Sequence, residues 1–334
     1  MKRRDKPPEG LTGRQLRLAA LKQFHWRAGI RHQIVDPDTD GLLTAALAFR
    51  VYGWPIMGFY NAETLWIDSQ AKTPLDMQSV AWVDLDMTWP GARSIGQHVT
   101  TAPESHRGVD LAYAVNPSQL RGVTQGPGYY WKYPFGSFQW LWWIANLSKG
   151  EARLDTAIGR GMAWLADGGP RSYDDYSDNL DHWRSTVLPG SLLDNLNPTT
   201  RMSDAAAASS YLADASGVDF GWKNDQWRMP APRGGAAGGS PPLLAEEIRA
   251  ILTAITDFYG WPTPHLPATF RAYRGHWQSA RERVSFQFPE TKVIVSMAAT
   301  RSGETCWTAP GRDAASEPGG LPPLTEALGA PTGP

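Results

Sequence analysis

The sequence predicts an α/β protein in which a parallel sheet is flanked by helices. Three observations predict this class: strand-like and helix-like segments alternate up to residue 170, aspartates follow two of the predicted strands, and 42% of the 334 residues are hydrophobic. Alternating strands and helices are typical of parallel sheets, and ligands bind beyond the carboxyl ends of such strands. A chain of this length can bury a large core.

The N-terminal half contains eight predicted elements. Apolar residues recur at helical spacing or form short bounded runs in each of them. The predicted strands cover residues 30–35, 55–60, 64–68 and 79–84. The predicted helices cover residues 11–25, 42–52, 135–149 and 151–166, and the last ends at DGGP (167–170), where glycine and proline stop a helix. These elements define a predicted domain over residues 1–195.

Glycine and proline divide the remainder of the chain. Residues 230–242 contain four Pro and four Gly, which predicts a flexible linker at the end of a connector over 196–242. An amphipathic helix over 243–259 and a strand over 291–297 predict a smaller α+β domain over 243–308. The Pro- and Gly-rich residues 309–334 predict a disordered tail.

Composition excludes several classes of protein. A net charge of −1 argues against coating nucleic acid through bulk electrostatics, although a local basic groove is compatible with it. Cys306 is the only cysteine, which excludes an intramolecular disulfide framework and a Cys-rich zinc site and favours a reducing compartment. Residues 1–9 lack the apolar region of a secretory signal, and the apolar stretch 138–147 is too short to span a bilayer. We therefore expect a soluble cytoplasmic protein without a membrane partner.

The first acidic cluster contains Asp36, Asp38 and Asp40, followed by Gly41. This spacing matches the beginning of an EF-hand loop, but position 12 of such a loop would be Leu47 instead of a bidentate glutamate. Two alternatives remain: a turn that caps the following helix, or a site where Mn²⁺ or Mg²⁺ offsets the repulsion between carboxylates.

Other acidic residues recur at the ends of predicted elements. Asp84 and Asp86 follow the strand over 79–84, and Asp167 follows the helix over 151–166. This recurrence favours the metal site over a simple helix cap.

Five segments, in order, resemble the motifs of the DHH phosphoesterases, particularly their RecJ-like members. They cover about residues 30–170: VDPDTDGLLTAALAF (35–49), VAWVDLD (80–86), SIGQHV (94–99), AVNP with YPFG (114–117 and 133–136), and DTAIGRGMAWLAD (155–167). Two departures stand out. GQH (96–98) replaces the Asp-His-His triplet, and the Gly-Gly-His motif of the family's second domain is absent.

The resemblance implies a DHH-type domain that hydrolyses phosphodiesters with two Mn²⁺ or Mg²⁺ ions. The substrate would be single-stranded DNA or a short oligonucleotide, and Asp84 and His98 would be catalytic. Asp84 would bridge the two ions, His98 would bind metal or the scissile phosphate, and Gln97 could offer a carbonyl oxygen. The implied metal ligands are Asp36, Asp38, Asp40, Asp84, His98 and Asp167. Two cations can activate water and neutralise the charge on a phosphate.

Two other functions remain open. One is a phosphatase or phosphodiesterase for nucleotides or cyclic dinucleotides. The other is a catalytically degenerate, nuclease-like binding or scaffold subunit that meets a protein partner or a second copy of the chain.

A basic and aromatic run, FRAYRGHWQSARER (270–283), could stack bases and hold phosphates. Its predicted substrate-binding residues are Arg271, Arg274, Trp277 and Arg281, together with Gln97, and its alternative is an exposed amphipathic helix. The acidic segment 174–182 predicts a solvated loop or helix start more readily than an additional metal site. We expect the tryptophans near residue 140 to pack in the core.

Overall fold

The computed structural model describes residues 6–61, 64–99, 111–123, 127–166, 170, 172–218, 221–223, 226–228, 242–280, 296–299, 305–309 and 322–328. The strands within these residues are β1 (His32–Val35), β2 (Ile56–Tyr60), β3 (Thr64–Asp68), β4 (Val80–Val83), β5 (Arg93–Ile95), β6 (Ala114–Val115), β7 (Gly221–Lys223), β8 (Gln226–Arg228), β9 (Phe270–Arg274), β10 (His276–Ala280), β11 (Ser296–Ala299) and β12 (Thr305–Ala309).

The α-helices within the same residues are α1 (Gly13–Gln23), α2 (Thr39–Tyr52), α3 (Pro117–Leu120), α4 (Ser137–Ala145), α5 (Ala157–Leu165), α6 (Ser172–His182), α7 (Arg201–Ser216), α8 (Pro242–Tyr259) and α9 (Leu324–Leu328). Short 3₁₀ turns cover Phe24–Gly29, Pro127–Trp131 and Leu192–Asn195, and a π turn, Trp183–Val187, continues α6. Among the described residues, no helix has the length and apolar content that crossing a membrane requires.

A seven-stranded sheet in the order β6-β5-β4-β1-β2-β3-β9 forms the centre of the structure. The strands from β6 to β2 are parallel to their neighbours, whereas β3 is antiparallel to both β2 and β9. The predicted α/β class with a largely parallel sheet is therefore confirmed. From β1 the chain first extends the sheet through β2 and β3, and then returns to place β4 on the other side of β1. This reversal of strand order opens a crevice beyond the carboxyl ends of β1 and β4.

The central strands are apolar because both of their faces are covered. Every residue of β2 and β4 is buried, and such continuous burial is typical of parallel strands between two layers. Side chains alternate between the faces: Val83 joins the larger core with the helices α2, α4 and α8, and Trp82 joins the smaller core on the other face. Buried Gln33 on β1 donates hydrogen bonds to the carbonyls of Ala45 and Trp54, at 3.0 and 2.7 Å.

Helix α2 ends at the predicted residue, Tyr52, but begins at Thr39, three residues before the predicted start. Asp38 is the N-cap, and its Oδ1 accepts a hydrogen bond from the Gly41 amide at 2.8 Å. Gly53 ends the helix in the left-handed conformation, with φ of 73°. A side chain at Gly41 would place its Cβ 2.0 Å from the Asp36 carbonyl oxygen, so only glycine fits between the acidic loop and the helix.

The tryptophans near residue 140 pack in the core as expected. Trp140 and Trp142 are buried, and so is Trp131, while Trp143 is half-buried and stacks on Trp140 with ring centroids 5.4 Å apart. The Trp140 indole donates to the Val115 carbonyl at 3.1 Å, which joins α4 to the end of β6.

Residues 270–280 do not form the amphipathic helix that was one of the two alternatives for the basic and aromatic run. They form two strands, β9 at the edge of the main sheet and β10 in a separate three-stranded sheet with β12 and β11. Pairing with β3 explains the strand: Tyr273 is buried opposite Leu65, and Phe270 contacts the ring of Phe59. Helix α8, within the predicted C-terminal domain, also belongs to the main structure, since Ile251, Leu252 and Ile255 are buried in the larger core.

Part of the predicted disordered tail is ordered. Leu324, Ala327 and Leu328 lie on α9 and are buried against the smaller core, and the Leu75 amide donates to the Ala327 carbonyl at 2.7 Å. Their helical spacing gives the segment one apolar face. The rest of the predicted tail, most of the linker 230–242 and residues 291–295 of the predicted strand lie outside the described residues.

The contact between α5 and α7 allows a test of the packing. A Cβ at Gly161 would lie 2.0 Å from the Asp204 carbonyl oxygen and 2.6 Å from the Ala208 Cβ. Gly161→Ala should lower the free energy of unfolding by about 1–3 kcal/mol or more, despite the higher helix propensity of alanine. Urea unfolding followed by tryptophan fluorescence measures this change.

Gly150→Ala is the matched control, because a Cβ there would meet no atom within 4 Å among the described residues. Its effect should stay within about 0.5 kcal/mol. Equal stabilities of the two variants would contradict the close approach of α5 and α7.

Candidate metal centre

Three aspartates converge at the crevice where the strand order reverses. Asp36 and Asp38 follow β1, and Asp84 directly follows β4. The two loops are joined where the strands end, because the Asp36 amide donates to the Val83 carbonyl at 3.1 Å. The parallel pairing of β1 and β4 therefore brings together residues that are about 50 positions apart in the sequence.

The three carboxylates form a group that could hold a metal ion. One carboxylate oxygen from each of Asp36, Asp38 and Asp84 lies within 4.8 Å of the other two. Oxygen ligands that share one Mg²⁺ are about 3–4 Å apart when each is about 2.1 Å from the ion. In the part of the chain that the structure describes, no other group of three or more His, Cys, Asp or Glu side chains meets this distance criterion.

The three aspartates differ in their exposure to solvent. Asp84 is 0% exposed, Asp36 is half-buried and Asp38 is exposed. Carboxylates at this separation repel one another unless a cation lies between them, and burial of Asp84 removes the screening by water. The exposed side at Asp38 gives an ion a route from solvent.

Asp84 also has an unusual backbone conformation. Its φ is 59°, in the left-handed region that non-glycine residues rarely adopt. Such conformations cost about 1–3 kcal/mol and cluster at functional sites, where the surrounding structure maintains them. The conformation directs the carboxylate of Asp84 towards Ser137 and His98.

Ser137 is a site residue that the sequence analysis did not identify. This serine is fully buried, and its hydroxyl donates to Oδ1 of Asp84 at 2.7 Å. The same Oδ1 lies 3.2 Å from Nε2 of His98. Ser137 directly follows the Tyr-Pro-Phe-Gly segment and begins α4, so the position of that segment was the only sequence feature that could have indicated it.

Asp40 lies outside the group of three. Its carboxylate accepts hydrogen bonds from the backbone amides of Ser137 and Phe138, at 2.7 and 2.9 Å, and from the Thr44 hydroxyl at 3.3 Å. The first amides of a helix lack partners within the helix and attract negative charge. A Cβ at Gly136 would lie 2.5 Å from Asp40, so only glycine allows this contact. Asp40 thus attaches the first turn of α2 to α4.

His98 and Gln97 lie beside Asp84. The His98 side chain is 24% exposed, and its Nε2 lies 3.2 Å from Oδ1 and 3.3 Å from the carbonyl oxygen of Asp84. The buried Gln97 amide nitrogen is 3.4 Å from Nδ1 of His98. Donation by Gln97 to Nδ1 leaves Nε2 as the protonated nitrogen that faces Asp84. Gln97 therefore orients the imidazole and lies away from the surface.

Asp86 supports the loop that carries His98. It is buried and accepts hydrogen bonds from the amides of His98 and Val99, at 2.6 and 2.9 Å, and from the Asn116 side chain at 3.0 Å. Burial raises the pKa of Asp86, and these hydrogen bonds oppose the increase. A Cβ at Gly96 would lie 2.8 Å from Asp86, which explains the glycine at the start of the loop.

The remaining predicted site residues are dispersed. Asp167 and Arg281 lie outside the described residues. Arg271 donates to the carbonyl of Ala71, away from the metal group. Arg274 ends β9, which runs in the same direction as β1 and lies three strands from it, about 14 Å away. Trp277 is in β10, outside the main sheet.

The acidic segment 174–182 lies in α6, in agreement with the predicted helix start, and Asp174, Asp175 and Asp178 are exposed while Asn179 and Leu180 are buried. Asp174 pairs with Arg201, and Asp181 pairs with Arg184 at 2.9 Å. These ion pairs account for two of its carboxylates.

Comparisons with protein families, curated proteins and solved structures found no match to this chain.

Manganese binding tests the group of three directly. Mn²⁺ at about 100 times its dissociation constant should stabilise the protein by about 2.7 kcal/mol. Asp84→Asn should lose this gain, while its metal-free stability should equal or exceed that of the wild type because one repulsive charge is removed. Isothermal titration calorimetry and thermal unfolding, with and without Mn²⁺, measure both effects.

Asp214→Asn, at an exposed aspartate of α7, is the control and should bind Mn²⁺ like the wild type. An equal response to Mn²⁺ in the Asp84 variant would show that the ion binds elsewhere.

Ser137→Ala tests whether the hydroxyl positions Asp84. Loss of such a supporting hydrogen bond typically weakens metal affinity about 10–100-fold, and we expect the same for Mn²⁺ in calorimetry. Ser118→Ala is the control: Ser118 is equally buried, but its hydroxyl accepts from the Tyr133 amide and does not contact the group. Equal affinities in the two variants would mean that Ser137 serves stability alone.

Proposed function

We propose that the protein is a divalent-cation-dependent phosphoesterase that belongs with the RecJ-like DHH proteins. The observation that carries the proposal is the group Asp36, Asp38 and Asp84 in the crevice between β1 and β4. Carboxylate ligands suit Mn²⁺ or Mg²⁺ better than softer metals. The crevice of an α/β sheet is also where such folds bind their ligands.

A bound cation would supply one part of the chemistry, because it would lower the pKa of a water molecule and neutralise charge on the phosphate. The chain supplies the rest. The Ser137 hydroxyl holds the carboxylate of Asp84 through a hydrogen bond. The left-handed backbone conformation of Asp84 keeps this carboxylate in the crevice. His98 is the partly exposed residue beside Asp84, so it can contact a bound phosphate.

The resemblance to the DHH family adds a second cation to this proposal. Asp36, Asp38 and Asp84 form a group that could hold one ion. A second ion would draw on Asp40, His98 and Asp167, with Asp84 shared between the two. Asp40 would then exchange its hydrogen bonds with the amides of α4 for the metal. The number of Mn²⁺ ions bound per chain distinguishes the one-ion and two-ion forms.

We propose single-stranded DNA or a short oligonucleotide as the substrate. Arg274 lies at the same edge of the sheet as the metal group, about 14 Å away along the strand order. A substrate that contacts both must be extended beyond a single nucleotide. The exposed side of the group at Asp38 leaves room for such a chain to enter.

A hydrolysis assay with Mn²⁺ tests the proposed function. End-labelled single-stranded DNA, short RNA and cyclic dinucleotides are incubated in parallel with the wild type, Asp84→Asn and Asp214→Asn. We expect cleavage of single-stranded DNA by the wild type and by the Asp214 variant. We expect a loss of at least about a thousandfold in the Asp84 variant, because the group loses its buried ligand.

The pattern of products separates the alternatives. Release of one nucleotide at a time from a DNA end supports the exonuclease, and cleavage of dinucleotides alone supports a phosphodiesterase for small substrates. Absence of cleavage by a wild type that binds Mn²⁺ would contradict the catalytic proposal and favour a binding or scaffold subunit.

A further inference from the structure

Arg121 is a buried cation with few hydrogen-bond partners. It follows α3, is 5% exposed and stacks over the ring of Trp183, with the guanidinium carbon 4.9 Å from the ring centroid. Nη2 donates to the Pro8 carbonyl at 3.1 Å, whereas Nε and Nη1 are buried without a partner among the described residues. A buried charged donor without an acceptor is strongly unfavourable, so this position favours an acceptor that binds there.

Two polar side-chain atoms on α6, Nε2 of His182 and Oδ1 of Asn179, are also buried without a hydrogen-bond partner in the described part of the chain. The residues are three positions apart, and therefore lie on one face of the helix. The Asn179 amide donates to the Lys132 carbonyl at 2.8 Å, which turns this face towards the segment around Trp131.

Aromatic contacts bring Arg121 and α6 together. The Trp183 indole, beneath Arg121, donates to the Trp131 carbonyl at 3.1 Å, and the Trp131 ring contacts the His182 ring with centroids 5.5 Å apart. Burial lowers the pKa of His182, and the nearby charge of Arg121 lowers it further. These contacts connect Arg121, Trp183, Trp131 and His182 in one layer between α3 and α6.

We propose that Arg121, His182 and Asn179 bind a phosphate group. Adjacent guanidinium donors match two oxygens of a phosphate, and Nε2 of His182 can donate to a third when it carries the proton. Oδ1 of Asn179 is an acceptor, and it therefore favours a phosphate that carries a proton over sulfate, which carries none near neutral pH. None of these residues belongs to the metal group, so the inference is independent of the proposed hydrolysis.

The N-terminal segment covers this site. The Pro8 carbonyl contacts Arg121, and a Cβ at Gly10 would lie 3.0 Å from the Arg121 carbonyl oxygen. Lys6, Glu9 and Gly10 are exposed, so the cover is a single layer of chain. Displacement of the Pro8 carbonyl would free the third guanidinium nitrogen and admit the anion.

Titration with inorganic phosphate, without divalent cations, tests the proposal in the intact protein. Trp183 and Trp131 lie in the site, so phosphate should produce a saturable change in tryptophan emission that calorimetry confirms as one site per chain. Sulfate at the same ionic strength should bind more weakly. Titration with adenosine monophosphate identifies the source of the phosphate group. If adenosine monophosphate binds, the site takes the phosphate of a nucleotide; if only inorganic phosphate binds, the site takes the free anion.

Arg121→Gln should weaken phosphate binding about 10–100-fold, since charged hydrogen bonds are lost. Arg27→Gln is the control, because Arg27 also stacks on an aromatic ring, that of Phe24, but lies outside the site. If Arg121→Gln fails to fold, His182→Gln replaces it and should weaken binding about tenfold. No saturable response in the wild type, or unchanged affinity in the folded variant, would overturn the proposal.

Discussion

The attachment of α4 to the segments that follow β1 and β4 is the interaction on which the candidate site depends. Ser137 provides much of this attachment, because its amide donates to Asp40 in the first turn of α2 and its hydroxyl donates to Asp84 directly after β4. The amides at the beginning of a helix favour carboxylates, so α4 offsets part of the repulsion that these segments would otherwise suffer. Gly136 makes the contact sterically feasible.

Two aspartates separated by one residue have different roles. Asp86 is fully supported by two backbone amides and Asn116, and its contribution is to shape the loop that carries His98. Asp84 adopts a left-handed conformation and is placed near two other carboxylates. A residue whose conformation and charge lower the stability of the fold, and which lies in a crevice, is typical of functional sites. Such sites often lower stability because activity requires that arrangement.

Local sequence was sufficient for much of the fold. The strands β1 to β4 and the helices α2 and α8 follow from apolar runs, helical spacing and caps, all of which act over short distances. The convergence of Asp36 and Asp38 with Asp84 also follows, because parallel strands present their carboxyl ends at one edge. Asp38 both caps α2 and belongs to the group that could hold a metal ion, so the helix cap does not exclude the metal site.

Other features depend on distant partners and could not be predicted locally. Ser137 contacts an aspartate 53 residues away, and only the packing of α4 on the sheet brings them together. Pairing with β3 turns the segment after Phe270 into a strand in place of a helix. Burial against the smaller core orders α9, although its surroundings in the sequence are rich in proline and glycine. In each case tertiary contact outweighs local propensity.

A crystal grown with MnCl₂ and measured at the manganese absorption edge would locate the ion. We expect anomalous density between Asp36, Asp38 and Asp84, at about 2.0–2.3 Å from a carboxylate oxygen of each. Density elsewhere with none at this group, or no density in a crystal saturated with Mn²⁺, would contradict this expectation.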